Sequence, residues 1–150
     1  MIVVLFGQPG SGKSTIADAL CDGIVPLRFP INIDGDDLRR TFNDTDYSRS
    51  GRINNLNRAS YIATFMDSKG HDPVLSLVYP YKEARDYLNS LNSDVLWVYL
   101  TYDGTQRGRE DFHVKDFEPC DDENVIHINT REKSVSESLE IICQAIKDRY

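Results

Sequence analysis

The stretch near the amino terminus whose residue types can do chemistry is Gly7-Gln8-Pro9-Gly10-Ser11-Gly12-Lys13-Ser14-Thr15. It matches the pattern G-x-x-x-x-G-K-[ST], in which backbone N–H groups and a helix N-terminus surround phosphate groups. In such loops the lysine, here Lys13, reaches the β- and γ-phosphates, and the hydroxyl, here Ser14, binds Mg²⁺. An apolar run at residues 2–6 and a helix-compatible segment at 15–21 flank the stretch. We therefore predict an ATP-binding loop rather than a glycine-rich turn without a ligand.

Two carboxylates follow the second predicted strand. Asp34 and Asp36 lie two residues apart, where that strand ends. One carboxylate can anchor Mg²⁺, and the other can accept the proton of a hydroxyl group that attacks a phosphate. An acidic N-cap for the next helix explains the same residues equally well, because Asp is favoured at that position. Both interpretations stay open from the residues alone.

The elements that must position these groups alternate between strands and helices. Apolar runs predict strands at residues 2–6, 29–33, 73–79, 95–100 and 125–128. Apolar residues at helical spacing predict helices over 52–69 and after Ser134, which forms a capping-box pattern with Glu137. The alternation predicts a P-loop kinase-like α/β fold, a three-layer α/β/α sandwich with a mostly parallel five-stranded sheet, in one domain spanning 1–150. Ligands then bind beyond the carboxyl ends of the strands.

Composition narrows the class of protein. The net charge of −7 disfavours nucleic acid as the main partner, although it does not exclude a small anion. The three cysteines are scattered, which is typical of a reduced, cytoplasmic protein without a disulfide framework or zinc site. No apolar run reaches the length of a membrane span, and the first strand begins directly after Met1, so we expect neither a membrane anchor nor a signal peptide.

A family resemblance extends along most of the chain. Asp34-Gly35-Asp36-Asp37-Leu38-Arg39 resembles the D-G-D-N-hydrophobic-R motif of adenylylsulfate (APS) kinases. Residues 52–58 resemble that family's R-x-x-N-I-R-R, with Asn57 replacing an arginine, and residues 78–86 resemble its I-S-P-Y-R-x-x-R-D, with Tyr79 replacing the serine. Shorter likenesses at 47–48, 70, 97–100 and 116–119 follow in the same order. The resemblance therefore covers the chain from Met1 to about Pro119.

The resemblance implies transfer of the γ-phosphoryl group of ATP to the 3′-hydroxyl of adenylyl sulfate, with Mg²⁺ as cofactor. It implies that Asp36 is the base, that Lys13 assists, and that Asp34 lies near the metal with Ser14. The implied substrate-binding set holds the phosphosulfate with two arginines and an asparagine and sandwiches the adenine between two aromatic rings: Arg39, Arg52, Asn55, Tyr47 and Phe112. Relatives that make this product are often dimers, so the resemblance also allows a homodimer.

The chain departs from the family after the fourth strand. APS kinases carry a long lid there, whereas this chain has only residues 102–111 before Phe112. Arg107 and Arg109 in this loop are either phosphate clamps or surface charges. The short lid keeps other acceptors open, such as a nucleoside, a sugar or the 5′-hydroxyl of a polynucleotide. A nucleotide-binding switch with little turnover is a third possibility, but the pair of carboxylates favours a kinase because a switch needs no acceptor base.

Overall fold

Five parallel strands form the central sheet of the computed structural model, which describes residues 1–103 and 112–150. In these residues the strands run in the order β2-β3-β1-β4-β5, and every neighbouring pair is parallel. The strand bounds are β1 (Ile2–Phe6), β2 (Asn32–Asp34), β3 (Val74–Ser76), β4 (Val95–Thr101) and β5 (Ile126–Asn129). The helix bounds are α1 (Lys13–Asp22), α2 (Gly35–Thr41), α3 (Arg49–Ser68), α4 (Lys82–Leu91) and α5 (Val135–Lys147).

Helices cover both faces of the sheet. Alternate residues of β1 point to opposite sides, so that Val4 packs with α3 and α4 while Val3 packs with α1 and α5. On the first face Leu56 and Leu88 join the core, and on the second Ile142 does the same. Two hydrophobic layers on one parallel sheet confirm the predicted three-layer α/β sandwich. None of the helices described is both long and apolar enough to cross a bilayer.

The register of the sheet brings two distant parts of the sequence to one edge. Leu5 of β1 is opposite Ser76 of β3, and Ser76 is opposite Asp34, the last residue of β2. Because parallel strands end at the same edge, the loop after β1 and the acidic segment after β2 leave the sheet side by side. The fold therefore places the glycine-rich loop next to Asp34 and Asp36, as the motifs require.

Two strands are shorter than the sequence predicts. The second was predicted to begin at residue 29, but Phe29 has a φ of 46° and Pro30 has no N–H to donate. The third was predicted to reach residue 79, but it ends at Ser76, and Tyr79 has a φ of 43°, which lies outside the strand region. In contrast, the helix predicted over 52–69 begins earlier, because the Ser48 hydroxyl accepts a hydrogen bond from Gly51 N–H and caps it.

The predicted capping box at the last helix is confirmed. The Ser134 hydroxyl accepts from Glu137 N–H at 3.1 Å, and the Glu137 carboxylate accepts from Ser134 N–H at 2.8 Å. Both contacts satisfy N–H groups that a helix leaves without partners at its start. The start of α5 is therefore specified by four consecutive residues.

A buried carboxylate joins the start of β1 to the segment before β2. Asp72 is fully buried and accepts hydrogen bonds from the Met1 amino group at 3.1 Å and from Arg28 N and Nη2, each at 2.7 Å. Burial by itself would raise the pKa of Asp72, but these hydrogen bonds and charges outweigh it and hold the pKa below its usual value. Asp72 is therefore a charged group that stabilises the folded chain.

Asp72→Asn is expected to lower the free energy of unfolding at pH 7 by about 2 kcal/mol, because it removes the charge of a fully buried carboxylate that pairs with the Met1 amino group and with the exposed Arg28. The Met1 amino group keeps Asp67 as a partner, which limits the loss. A lowered pKa stabilises the fold above the unfolded pKa of about 4, and this contribution disappears as the pH falls through the folded pKa. Urea unfolding should therefore show a gap between wild type and variant that narrows below about pH 4. The exposed Asp121 provides the control Asp121→Asn, and an equal loss there would contradict the assignment.

Candidate active site

A cavity of about 1030 Å³ opens at the edge of the sheet where β1, β2 and β3 end. It brings together most of the residues that the sequence analysis singled out: Pro9, Gly10, Gly12, Lys13, Ser14, Thr15, Asp34, Asp36, Arg39, Tyr47, Arg52, Asn55 and Phe112. The lining also includes residues that the sequence analysis did not single out as site residues, among them Ser76, Val78, Pro80 and His113. The residues predicted to bind ATP and the residues predicted to bind the acceptor substrate thus line one cavity.

The glycine-rich loop takes the conformation that its residue types require. Gly7 has a φ of 145°, and a Cβ there would lie 2.1 Å from the Leu100 carbonyl oxygen. Gly12 has a φ of 95° and caps α1 without a side chain. Lys13 is only 9% exposed. Its ammonium group donates to the carbonyl oxygens of Gly7 at 3.0 Å and Gln8 at 2.9 Å. The lysine is therefore held over the loop, and the start of α1 faces the cavity.

The two carboxylate oxygens of Asp34 make different contacts. Its Oδ1 accepts from the N–H groups of Asp36 at 2.9 Å and Asp37 at 3.3 Å, which makes it the N-cap of α2. Its Oδ2 accepts from the hydroxyls of Ser14 at 2.9 Å and Ser76 at 3.2 Å. A hydroxyl beside a carboxylate oxygen is a pair of hard donors that suits Mg²⁺, which in such sites is completed by phosphates and water. The donor set fits the predicted metal.

Asp36 lies in the first turn of α2, exposed, and lines the same cavity as Gly10, Gly12 and Lys13. The next carboxylate, Asp37, forms an exposed ion pair with Arg40. A carboxylate that lines the same cavity as a phosphate-binding loop can accept a proton from a hydroxyl bound between them. The shared cavity is therefore compatible with the predicted role of Asp36 as a base.

Two arginines and a tyrosine that line the cavity also contact one another. Arg39 is buried, donates from Nη1 to the carbonyl oxygen of Asp46 at 2.9 Å, and lies 4.0 Å from the ring centroid of Tyr47. Arg52 donates from Nε to the carbonyl oxygen of Tyr47 at 2.9 Å. The backbone N–H of Asp46 and then Arg58 lower the pKa of Asp44, which lies 3.5 Å from Arg39. Both arginines thus contact Tyr47: Arg52 through its carbonyl oxygen, and Arg39 through its ring. The guanidinium of Arg39 packs against one face of that ring.

Asn55 projects from α3 one helical step after Arg52 and is only 4% exposed. Its Nδ2 lies 3.5 Å from the Gly35 carbonyl oxygen, whereas its Oδ1 has no hydrogen-bond partner among the residues that the structure describes. A buried acceptor of this kind is normally satisfied by protein, water or a ligand. Because Asn55 lines the cavity, its amide is suited to contact a bound substrate.

Phe112 and His113 line the cavity from a different part of the chain. Phe112 is exposed, and the His113 Nε2 lies 3.1 Å from the Pro9 carbonyl oxygen. The structure thus places Phe112 and Tyr47 in the walls of one cavity, as a pair of rings that grip a base would require. Arg107 and Arg109, which the sequence left as either phosphate clamps or surface charges, lie outside the described residues.

The family model described as adenylylsulphate kinase matches residues 1–113. A probable adenylyl-sulfate kinase of Aeropyrum pernix is 34% identical over 93 residues, which are 61% of this chain and 51% of that protein. A cytidine diphosphoramidate kinase of Campylobacter jejuni is 29% identical over 103 residues, 68% of this chain and 61% of that protein. The matched part thus spans between half and two thirds of each relative's length.

The solved structures include a similar fold. The APS kinase of Mycobacterium tuberculosis, in complex with AMPPNP and APS, matches with a TM-score of 0.81. The match covers 97% of this chain and 96% of that one, at 21% sequence identity. A likeness at this identity concerns the fold, and it extends over both chains almost completely.

Proposed function

The chain belongs to the adenylylsulphate kinase family of P-loop kinases, and from this premise we propose that it transfers the γ-phosphoryl group of ATP to the 3′-hydroxyl of adenylyl sulfate. The observation that carries the proposal is that Asp36 and the phosphate loop line one cavity with the set suited to a nucleotide anion. That set comprises Arg39, Tyr47, Arg52, Asn55 and Phe112. Its cations and aromatic rings suit an acceptor with both a charged group and a base.

The donor half of the site would hold ATP through the loop between β1 and α1. The backbone N–H groups and the start of α1 suit the phosphates, and Lys13 would exchange its contacts with loop carbonyls for phosphate oxygens. Ser14 and Asp34 would hold Mg²⁺, which when bound neutralises charge on the transferring phosphoryl group. The caps and hydrogen bonds that fix these side chains reduce the reorganisation needed during transfer.

The transfer itself needs one proton acceptor. As the 3′-oxygen forms its bond to the γ-phosphorus, the bond from that phosphorus to the bridging oxygen of ADP breaks. Asp36 would take the proton that the hydroxyl loses, and ADP would leave with the charge of the broken bond. Arg39 and Arg52 would bind the phosphosulfate, and Tyr47 and Phe112 would hold the adenine. These roles stay predictions until the variants described below are measured.

A second acceptor is favoured by one specific observation. The chain is 29% identical to a cytidine diphosphoramidate kinase over 68% of its own length. That compound shares with adenylyl sulfate a nucleoside and an anionic group of two linked units. The arginines and aromatic rings of the cavity therefore suit both compounds, which differ in the base and in the terminal group, a sulfate in one and a phosphoramidate in the other.

A kinase assay with different acceptors tests the proposal directly. The chain is offered ATP and Mg²⁺ with adenylyl sulfate, cytidine diphosphoramidate, nucleosides, sugars or 5′-hydroxyl oligonucleotides, and kcat/KM is measured for each. We expect the value for adenylyl sulfate to exceed the others by at least about tenfold, because an unfilled contact in a polar site discriminates strongly. If another acceptor has a higher kcat/KM, that compound is the substrate instead of adenylyl sulfate. If the protein binds ATP but transfers no phosphoryl group to any acceptor, it is a nucleotide-binding switch.

Arg52→Ala is expected to raise the acceptor KM about tenfold while the KM for ATP changes less than twofold, because Arg52 lies on the acceptor side of the cavity. Arg52→Lys should recover only part of the loss, since lysine keeps the charge but not the planar fork. Steady-state kinetics in both substrates provide the measurement. The exposed Arg40 provides the control Arg40→Ala, and an effect of Arg52→Ala confined to ATP would contradict the assignment.

A further inference from the structure

The side chain of Gln8 pairs with the backbone of a residue far along the chain. Its Nε2 donates to the carbonyl oxygen of Val114 at 2.9 Å, and its Oε1 accepts from the N–H of Val114 at 2.8 Å. The carboxamide thus satisfies both polar groups of one residue, much as a neighbouring strand does. Phosphates in this type of loop are contacted by backbone N–H groups, so the Gln8 side chain has a different task.

Val114 is the last of three consecutive residues that we call the acceptor wall: Phe112, His113 and Val114. Phe112 and His113 line the cavity, and Val114 is buried behind them. A second contact parallels that of Gln8, because the His113 Nε2 lies 3.1 Å from the Pro9 carbonyl oxygen. Two adjacent residues of the phosphate loop therefore hold two adjacent residues of the acceptor wall.

The chain after the acceptor wall is anchored to the rest of the fold by other contacts. Phe117 stacks on Tyr99 of β4, with ring centroids 5.9 Å apart and an angle of 12° between the planes. Glu118 N–H donates to the Pro80 carbonyl oxygen at 2.7 Å, and Arg85 donates to the Glu118 carbonyl oxygen at 3.0 Å. Loss of the Gln8 contact would therefore loosen the acceptor wall without releasing the segment that follows it.

We propose that Gln8 is a positioning residue that fixes the acceptor wall against the phosphate loop and so sets the affinity for the acceptor. The proposal rests on the proposed function of the cavity as a kinase site. Gln8 does not touch the reacting atoms; it acts through Val114 on the placement of Phe112. One side chain thereby links the ATP side of the cavity to the wall that holds the acceptor's base.

Gln8→Leu tests this role, because leucine has a similar size and cannot form either hydrogen bond. We expect the KM for adenylyl sulfate to rise about tenfold, while kcat and the KM for ATP change less than about threefold. Lys115→Ala is the matched control, since Lys115 follows Val114 directly and is exposed. If Gln8→Leu does not fold, Gln8→Met keeps the length of the side chain without a charge and without either hydrogen bond, and it should shift the acceptor KM in the same direction.

Amide hydrogen exchange provides a readout that does not depend on the acceptor. In the Gln8→Leu variant the Val114 N–H loses its partner, so its exchange should accelerate at least about tenfold relative to wild type and to Lys115→Ala. If the exchange rate of the Val114 N–H is the same in Gln8→Leu as in wild type, the Gln8 side chain does not protect this group, and the proposal is wrong. Faster exchange with an unchanged acceptor KM, or a rise in the KM for ATP alone, would overturn the positioning role.

Failure of the proposed function is distinguishable from failure of this inference. If wild type does not phosphorylate adenylyl sulfate, the function is wrong, and the same kinetic comparison is made with the acceptor of highest kcat/KM. The Gln8 role then predicts the same rise in that acceptor's KM. If Gln8→Leu leaves that acceptor's KM unchanged, the positioning role of Gln8 is wrong.

Discussion

Asp36→Asn is expected to lower kcat about 10³-fold while the affinity for ATP stays within about twofold of wild type. Asparagine has nearly the same shape but cannot accept the proton that the attacking hydroxyl loses. The backbone of residue 36 would continue to donate to Asp34, so the N-cap of α2 is preserved. Single-turnover kinetics with saturating ATP and acceptor measure the effect on the transfer step alone.

The neighbouring carboxylate makes a matched control for that experiment. Asp37 lies in the same helical turn as Asp36, is exposed, and pairs with Arg40. Asp37→Asn removes the same charge from the same helix, so it should leave kcat within about twofold. Equal losses in the two variants would mean that the charge of α2, and not a base at Asp36, supports the reaction.

Asp34→Asn is expected to lower kcat/KM about a hundredfold and to raise the Mg²⁺ concentration needed for half-maximal activity. The Oδ2 of Asp34 lies 2.9 Å from the Ser14 hydroxyl, where a carboxylate would help to hold the metal. Because asparagine is also a good N-cap, its side-chain oxygen can still accept from the N–H groups of Asp36 and Asp37. Activity measured across a magnesium titration, together with the melting temperature, separates the two roles.

Asp34→Ala completes the comparison, since it removes the cap as well as the charge. We expect it to cost about 1 kcal/mol of stability beyond Asp34→Asn, with a similar loss of activity. If Asp34→Asn keeps full activity at low Mg²⁺, Asp34 is only the cap of α2. If both variants lose stability equally, the side chain matters for packing rather than for capping.

Features that depend on residues close together in the sequence were predictable from the sequence alone. The glycine pattern of the phosphate loop specifies backbone angles directly, and the strand and helix around it follow from apolar periodicity. The capping box at Ser134 and Glu137 is also contained in four residues. For Asp34 the residue type indicated both a cap and a metal ligand. The structure confirms the cap and places the second oxygen beside the Ser14 hydroxyl, where the metal role stays a prediction.

Strand ends were harder to predict, because apolar composition continues beyond the point where pairing stops. Phe29 and Tyr79 are residues that favour strands, yet both have positive φ angles and lie outside β2 and β3. Tyr79 is fully buried, with its hydroxyl 2.9 Å from that of Ser60 on α3. At Tyr79 tertiary packing therefore outweighs local preference. At Phe29, which is exposed, the following Pro30 is a local signal against strand pairing.

The residue types and their order were enough to identify a phosphate loop, a nearby pair of carboxylates and an α/β fold, because each depends on short-range geometry. The contacts that join the two halves of the cavity were not visible in the chain. Gln8 and Val114 are separated by 106 positions, and Arg39 lies over Tyr47 only because the intervening loop folds back. Such pairings depend on where whole elements are placed in space, and that placement follows from the packing of the complete core.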